Sequence, residues 1–226
     1  ALPVDPAARE SLLMRLIGSP DPYGKQIDGL GGATSSTSKV VIVRASDRRD
    51  CDVSYRFGAV AIDRPVIDWS GNCGNLTTAV GPFALANGLV RAADGIATIR
   101  LWQENIGKRI VAHVPVAGGC AVEQGAFMMD GVAFPGAEIL LEFLDPGGGE
   151  SDMLPTGRVL DVLDVPGAGP IEATLVNAGN PTVFVAAAAL GLTGTELQPQ
   201  VNGDGALLAR CEAVRAQAAV RMGLAS

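Results

Sequence analysis

An α+β fold, built as an antiparallel sheet curled around one central helix, follows from three features of the sequence. β-Branched or alternating runs fill its middle, amphipathic helical segments stand near both ends, and the stretch "WSGNCGNLTTAVGPFALANGLV" from Trp69 to Val90 carries no charged residue. A helix that is apolar all round has no face to give to water, so this stretch belongs inside the sheet. The chain is large enough for such a core: of its 226 residues, 48% are hydrophobic and only 18% charged. That length suits one or two domains.

Taken in order, "VDPAARESLLMRLIGSPDPYG" is a well-signalled first helix. Asp5 can cap it, Pro6 suits its first turn, Leu12, Leu13, Leu16 and Ile17 form an apolar stripe, and Gly18 ends it. "KVVIVR", "VSYRFGAVAID", "IATIRLWQE" and "KRIVAHVPV" read as strands, and "NIG" between the last two suits a short hairpin loop. The central helix is expected over about 74–88, with its clearest part from Leu76 to Asn87 and Gly88 as its stop. Pro82 lies inside it and would cost about 3 kcal/mol in an exposed helix, which implies a kink or strong tertiary burial. "AEILLEFLD", "IEATLVNAG" and "PTVFVAAA" follow as strands, separated by the Gly-rich "PGGGES" and by "VPGAGP". The first set finishes near Ala137, which predicts one domain over 1–136 and the beginning of a second over 137–226. The last element, "ALLARCEAVRAQAAVRMGL", is an amphipathic helix with the stripe Leu207, Cys211, Val214, Ala218 and Met222.

Charge and composition narrow the function. A net charge of -7 and no basic block argue against nucleic acid or an anionic membrane as partner, since both require clustered Lys and Arg. The longest apolar run, "VFVAAAALGL", is about half a bilayer span, and no terminal segment reads as a signal peptide. Cys51, Cys73, Cys120 and Cys211 lie far apart with no Cys-x-x-Cys pair, which fits reduced thiols and a cytoplasmic location. His113 is the single histidine, so a His-rich metal site is not expected, and none is assigned. Its place in "RIVAHVPV" is that of a strand histidine facing solvent or a neighbour.

Two segments carry the chemistry. "GGATSSTSK" places eight small residues, Gly31 to Ser38, before Lys39. A nucleotide-binding loop would need Gly-Lys followed by Ser or Thr and a helix, whereas Lys39 is followed by the strand "VVIVR". The hydroxyls of Ser35, Ser36, Thr37 and Ser38 and the nearby backbone N–H groups are suited to gripping carboxylates. Partial desolvation of Lys39 would favour the neutral amine, the form able to take a proton. The plainer alternative is a surface lysine at a strand end. Cys73 stands before the central helix, flanked by Asn72, Gly74 and Asn75. Amide N–H groups at a helix start favour an anion, either a thiolate or a bound carboxylate. The end dipole contributes only about 0.3–1 kcal/mol, so a reactive Cys73 needs a nearby cation, for which Lys39 is the candidate. The alternative for Cys73 is a buried, inert thiol.

"GSPDPYGKQIDGLGGATSSTSKVVIV", "DWSGNCGNLTTAVGPFALANGLV", "RLWQENIGKRIVAHVPV" and "NAGNPTVFVAAAALGLTGTELQ" closely resemble the 2-methylaconitate cis–trans isomerase family of the methylcitrate route of propionate breakdown. The family also includes 4-oxalomesaconate tautomerases, and its fold resembles diaminopimelate epimerase: two similar domains, each a sheet curled around a helix, with the site in the cleft between them. The resemblance implies a cofactor-independent allylic proton transfer on an unsaturated tricarboxylate, with Lys39 as the base. Cys73 would be a second proton carrier or an anion-site residue. "NCGN", Asn72 to Asn75, matches the first catalytic-cysteine motif of the epimerases, and "GNPT", Gly179 to Thr182, resembles their Gly-Asn-Pro-His loop with Thr182 in place of histidine. Asn177, Asn180 and Thr182 would then contact substrate from the second domain.

Family members also begin with a further strand and continue past the equivalent of Ser226. The resemblance therefore implies an incomplete second domain and weak or no activity for these residues alone. An incomplete domain exposes sheet edge and core, which favours self-association such as a homodimer. The competing activities are 4-oxalomesaconate tautomerisation or aconitate isomerisation. A non-catalytic carboxylate-binding protein of the same fold is the competing class.

Overall fold

The computed structural model describes residues 2–145 and 153–226. The chain divides into two compact units, Ala1–Leu144 and Asp145–Ser226.

The first unit opens with α1 (Pro6–Ile17), whose start is capped by Asp5 accepting the Ala8 N–H at 2.8 Å. Gly18 closes it at φ 85°, a conformation that glycine adopts without steric penalty. Only Leu13 and Ile17 of the expected stripe are buried; Leu12 and Leu16 remain 38% and 46% exposed. A helix laid on a sheet by one i, i+4 ridge buries that ridge alone, here against Val40, Val60 and Ile67.

Seven strands of this unit form one sheet: β1 (Lys39–Ala45), β2 (Val53–Val60), β3 (Ile67–Asp68), β4 (Gly95–Gln103), β5 (Lys108–Ala117), β6 (Cys120–Ala121) and β7 (Leu140–Phe143). The order is β1-β2-β4-β5-β6, with β3 on β2 and β7 on β5. All pairings are antiparallel except β2 with β4, which run parallel from Val53↔Leu101 to Tyr55↔Gln103. The strand in "AEILLEFLD" was expected to open the second domain. Instead Leu140 to Phe143 pair with His113 to Ile110, so the strand completes the first sheet and the division falls after Leu144 rather than at 137. Its alternation specifies a strand but not its partner.

Helix α2 (Gly74–Ala86) touches both β1 and β6, opposite ends of the strand order, so the sheet curls around it. Val80, Ala84 and Leu85 pack on Val53, Tyr55, Ile99, Leu101, Ile110, Ala112 and Val114. Full burial of a Val or Leu side chain contributes roughly 1.5–3 kcal/mol, which is how the helix tolerates Pro82. The close approach depends on Gly81, where a Cβ would lie 2.7 Å from Val114 Cγ2. Burial is not complete, however: Asn75, Ala79 and Phe83 form an outward stripe, with Phe83 49% exposed. The lack of charge therefore marks a helix that is apolar on both sides, with one of them uncovered among the described residues.

The second unit is an antiparallel meander of β8 (Asp161–Val165), β9 (Gly169–Ala178) and β10 (Asn180–Val185), followed by a 3-10 turn at Ala187–Leu190, α3 (Gln198–Gly203) and α4 (Gly205–Arg221). Leu207, Val214 and Ala218 of α4 cover Leu163, Val165, Ile171 and Leu175. β8 is not among the strands read from sequence; its inward side begins with an aspartate, Asp161, which is 2% exposed and accepts the Thr156 hydroxyl. "PGGGES" lies outside the described residues.

Candidate active site

Strand alternation decides where Lys39 points. Val40 and Ile42 of β1 pack toward α1, whereas Val41 and Val43 pack toward α2, so Lys39 shares the face that meets α2. Its Nζ donates to Cys73 Sγ at 3.3 Å, and both side chains are half-buried. Cys73 is the N-cap of α2 and makes no side-chain capping bond, leaving the first amides of the helix without a side-chain partner from that residue. Gly74 and Asn75 form the exposed first turn beside it. The Lys39 stem lines an apolar cavity of about 140 Å³ with Val41, Leu76, Ala79 and Phe83 among its walls.

The hydroxyl loop is placed differently from the expectation. Ser38 is 1% exposed, accepts from Gln26 Nε2 at 2.8 Å and donates to the Val60 carbonyl at 2.7 Å, so it is framework and not ligand surface. Thr37 is turned onto Thr34, hydroxyl to hydroxyl at 2.9 Å, in a turn closed by the Ser38 N–H to the Thr34 carbonyl. Ser35 and Ser36 are exposed, and Ser35 lines an open depression of about 650 Å³ with Ser38, Arg64, Asp68 and Trp69. Hydroxyl composition could not separate these roles, because a Ser that bonds the backbone has the same letter as one that bonds a ligand.

Three residues near the site lay outside the sequence reading. Tyr55, 1% exposed, donates to Asn72 Oδ1 at 3.1 Å and lies 2.7 Å from Thr77 Oγ1. Thr77 in turn sits one helical turn after Cys73, with its N–H 3.0 Å and its hydroxyl 2.9 Å from the Cys73 carbonyl. Burial first, and also the neighbouring Cys73 sulfur, pushes the Tyr55 phenol well above its ordinary range, so it stays a neutral donor. Asn105 ties β2 to the segment that leads to Cys73: it accepts from the Phe57 N–H at 2.9 Å and donates to the Phe57 carbonyl at 2.8 Å and to the Trp69 carbonyl. The only sequence signal for Tyr55 was its place on the inward side of an alternating strand.

In the second unit, Asn177, Asn180 and Thr182 gather at the β9–β10 hairpin, where Gly179 turns at φ 105°. Pro181 pairs with Asn177, and Thr182 donates to the Asn180 carbonyl at 3.0 Å.

The profile of the PrpF protein family matches residues 1–226. The chain belongs to the PrpF family. Within it, the chain is 56% identical over 225 residues to a 2-methyl-aconitate isomerase of Shewanella oneidensis and 57% identical over 225 residues to one of Cupriavidus necator, covering 96% of this chain in each case. Among solved structures it is similar to a methylitaconate-delta-isomerase, with a TM-score of 0.76 at 40% identity over 99% of this chain, which bears out the expected fold class. The chain spans 57% of the length of each of these three proteins. No helix among the described residues is long and apolar enough to cross a membrane, and none of their His, Cys, Asp and Glu side chains cluster as metal ligands. All four cysteines are free thiols.

Proposed function

We propose that the protein is an isomerase that moves an allylic proton on an unsaturated tricarboxylate, converting 2-methyl-trans-aconitate to its cis isomer. The observation that carries this reading is the 3.3 Å contact between Lys39 Nζ and Cys73 Sγ at the first turn of α2. Lys39 in its neutral form takes the allylic proton, and the electron pair left on carbon spreads through the double bond into a carboxylate. The N–H groups that open α2 are the donors assigned to that carboxylate's growing charge. Return of a proton two carbons away shifts the double bond, and rotation within the delocalised anion exchanges cis for trans. Cys73 is the second proton carrier or holds the anion, and Asn72, Gly74 and Asn75 bind carboxylate beside it. Asn177, Asn180 and Thr182 are assigned to substrate binding from the second unit, and Ser35 and Ser36 remain the available hydroxyls of the loop. The reaction needs no cofactor, and the protein works in the cytoplasm.

The test is proton NMR in heavy water on the protein at its full encoded length, offered 2-methyl-trans-aconitate, 4-oxalomesaconate and trans-aconitate in turn. Isomerisation with deuterium incorporation is expected for the first. Preferred turnover of the second would make the protein a tautomerase. Lys39→Ala should lower turnover by about 10²–10⁴, the worth of a positioned general base. A ligand bound with no turnover in either protein would instead mark a carboxylate-binding protein.

A further inference from the structure

Burying a tyrosine hydroxyl where phenylalanine would fill the same space has a cost, and the structure indicates what the hydroxyl is for. Tyr55 is on the inward face of β2, and its O–H is directed at Asn72 Oδ1. Thr77, 0% exposed, places its hydroxyl 2.7 Å from the same phenol oxygen and within 3.5 Å of the same amide oxygen. Two hydroxyl protons thus serve these contacts. The Cys73 carbonyl has two lone pairs and lies 2.9 Å from the Thr77 hydroxyl as well as 3.0 Å from the Thr77 N–H, so the Thr77 proton is shared between that carbonyl and Tyr55 while the Tyr55 proton goes to Asn72. With its oxygen held inward, the Asn72 side chain presents an NH₂ that has no protein partner among the described residues, one residue before Cys73. Turned the other way, the amide would offer its oxygen, which repels a carboxylate.

We infer that Tyr55 is a positioning residue: supported by Thr77, it holds the Asn72 amide in the orientation that donates N–H to a substrate carboxylate beside Lys39 and Cys73. This rests on the tricarboxylate reading above, but it concerns binding and not proton transfer. Tyr55→Phe removes the donor that sets the amide and leaves Lys39 in place, so it should raise KM while kcat stays near the wild-type value. Lys39→Ala should do the reverse.

The experiment is calorimetric titration of the full-length protein with propane-1,2,3-tricarboxylate, which has no double bond and cannot turn over. Loss of one hydrogen bond to a charged group predicts about tenfold weaker binding for Tyr55→Phe. Thr77→Val should weaken binding in the same direction, and Thr77→Ser, which keeps the hydroxyl, should restore it. Because Thr77→Val keeps the size of threonine and loses only the hydroxyl, whereas Thr77→Ser keeps the hydroxyl and loses only a methyl, this pair tests the network even if Tyr55→Phe folds poorly. Unchanged or tighter binding in folded Tyr55→Phe, or equal binding by the two Thr77 variants, overturns the inference and leaves the isomerase reading standing. No binding and no turnover by the wild-type protein overturn that reading and this inference together.

Discussion

Asn105→Ala should be one of the more damaging substitutions in the first unit, although the residue is only half-buried and far from Lys39 in sequence. Its side chain occupies the place of a missing strand partner. The Phe57 N–H and C=O and the Trp69 C=O all bond to it, and its oxygen also accepts from Gln103 Nε2 at 2.7 Å. Phe57 is 6% exposed and Gln103 0%, so water cannot easily replace what alanine removes. Leaving a buried polar group unpaired costs about 1–3 kcal/mol. With three backbone groups taken at the lower limit, because Asn105 itself is partly wet, the loss is about 3 kcal/mol, and the stranded Gln103 amide adds to it. Asn105→Asp should be at least as harmful, since it keeps the acceptor oxygens but aims a carboxylate at two carbonyls. Urea unfolding followed by the fluorescence of Trp69 and Trp102 reads the change. If Asn105→Ala unfolds within about 0.5 kcal/mol of wild type, the ordinary range for a surface substitution, the side chain does not replace a strand partner.

Ser38→Ala should lower stability by about 1–2 kcal/mol, because it strands Gln26 Nε2 and the Val60 carbonyl, without raising KM; a large KM effect would return Ser38 to the binding surface. Gly81→Ala sets overpacking against Val114, about 1–3 kcal/mol, against a helix-propensity gain of about 1, so a net loss of about 1 kcal/mol is expected in the same assay. Arg100 hydrogen-bonded to Asp52 at 2.6 Å holds that carboxylate below its usual range. Its contribution is therefore fully present above the unfolded value near 4 and is lost as pH falls through the lower folded one. Since Asp52 is 27% and Arg100 51% exposed, the gap between wild type and Asp52→Asn should be only about 0.5–1 kcal/mol at pH 7. It should close below pH 4 in melts run across pH; a gap that widens in acid would contradict the sign.

Local pattern made much of the fold readable. Asp5 and Gly18 mark α1, and alternation marks β1, β2, β4 and β5 to within a few residues. What pattern cannot carry is partnership. The letters of Leu140 to Phe143 specify a strand but do not choose between β5 and a new sheet, and nothing in β2 or β4 announces that they run parallel. Burial of polar residues is equally silent: Ser38 and Thr77 are inside with partners as distant in sequence as Val60 and Tyr55. That is why Ser38 reads as a ligand contact and Tyr55 as a plain core residue from sequence alone. Lys39 and Cys73 stand out through a strand start and an uncharged helix start, but the 3.3 Å between them depends on contacts spanning thirty-four positions.

Those contacts converge on one strand. Val60 of β2 exchanges hydrogen bonds with Ser38, N–H to carbonyl at 2.9 Å and carbonyl from hydroxyl at 2.7 Å, and so fixes the residue next to Lys39. Phe57 of β2 holds Asn105, which holds Trp69 on the way to Cys73, while Tyr55 of β2 holds Asn72. Lys39 itself pairs opposite Ala59. The amine and the sulfur are therefore both measured from β2, at points within six residues of each other. A one-residue slip of β1 against β2 would move Lys39 to the α1 face and leave Cys73 where it was. The two Ser38–Val60 hydrogen bonds oppose that slip, since both are lost in the shifted register, whereas aliphatic contacts alone would tolerate it.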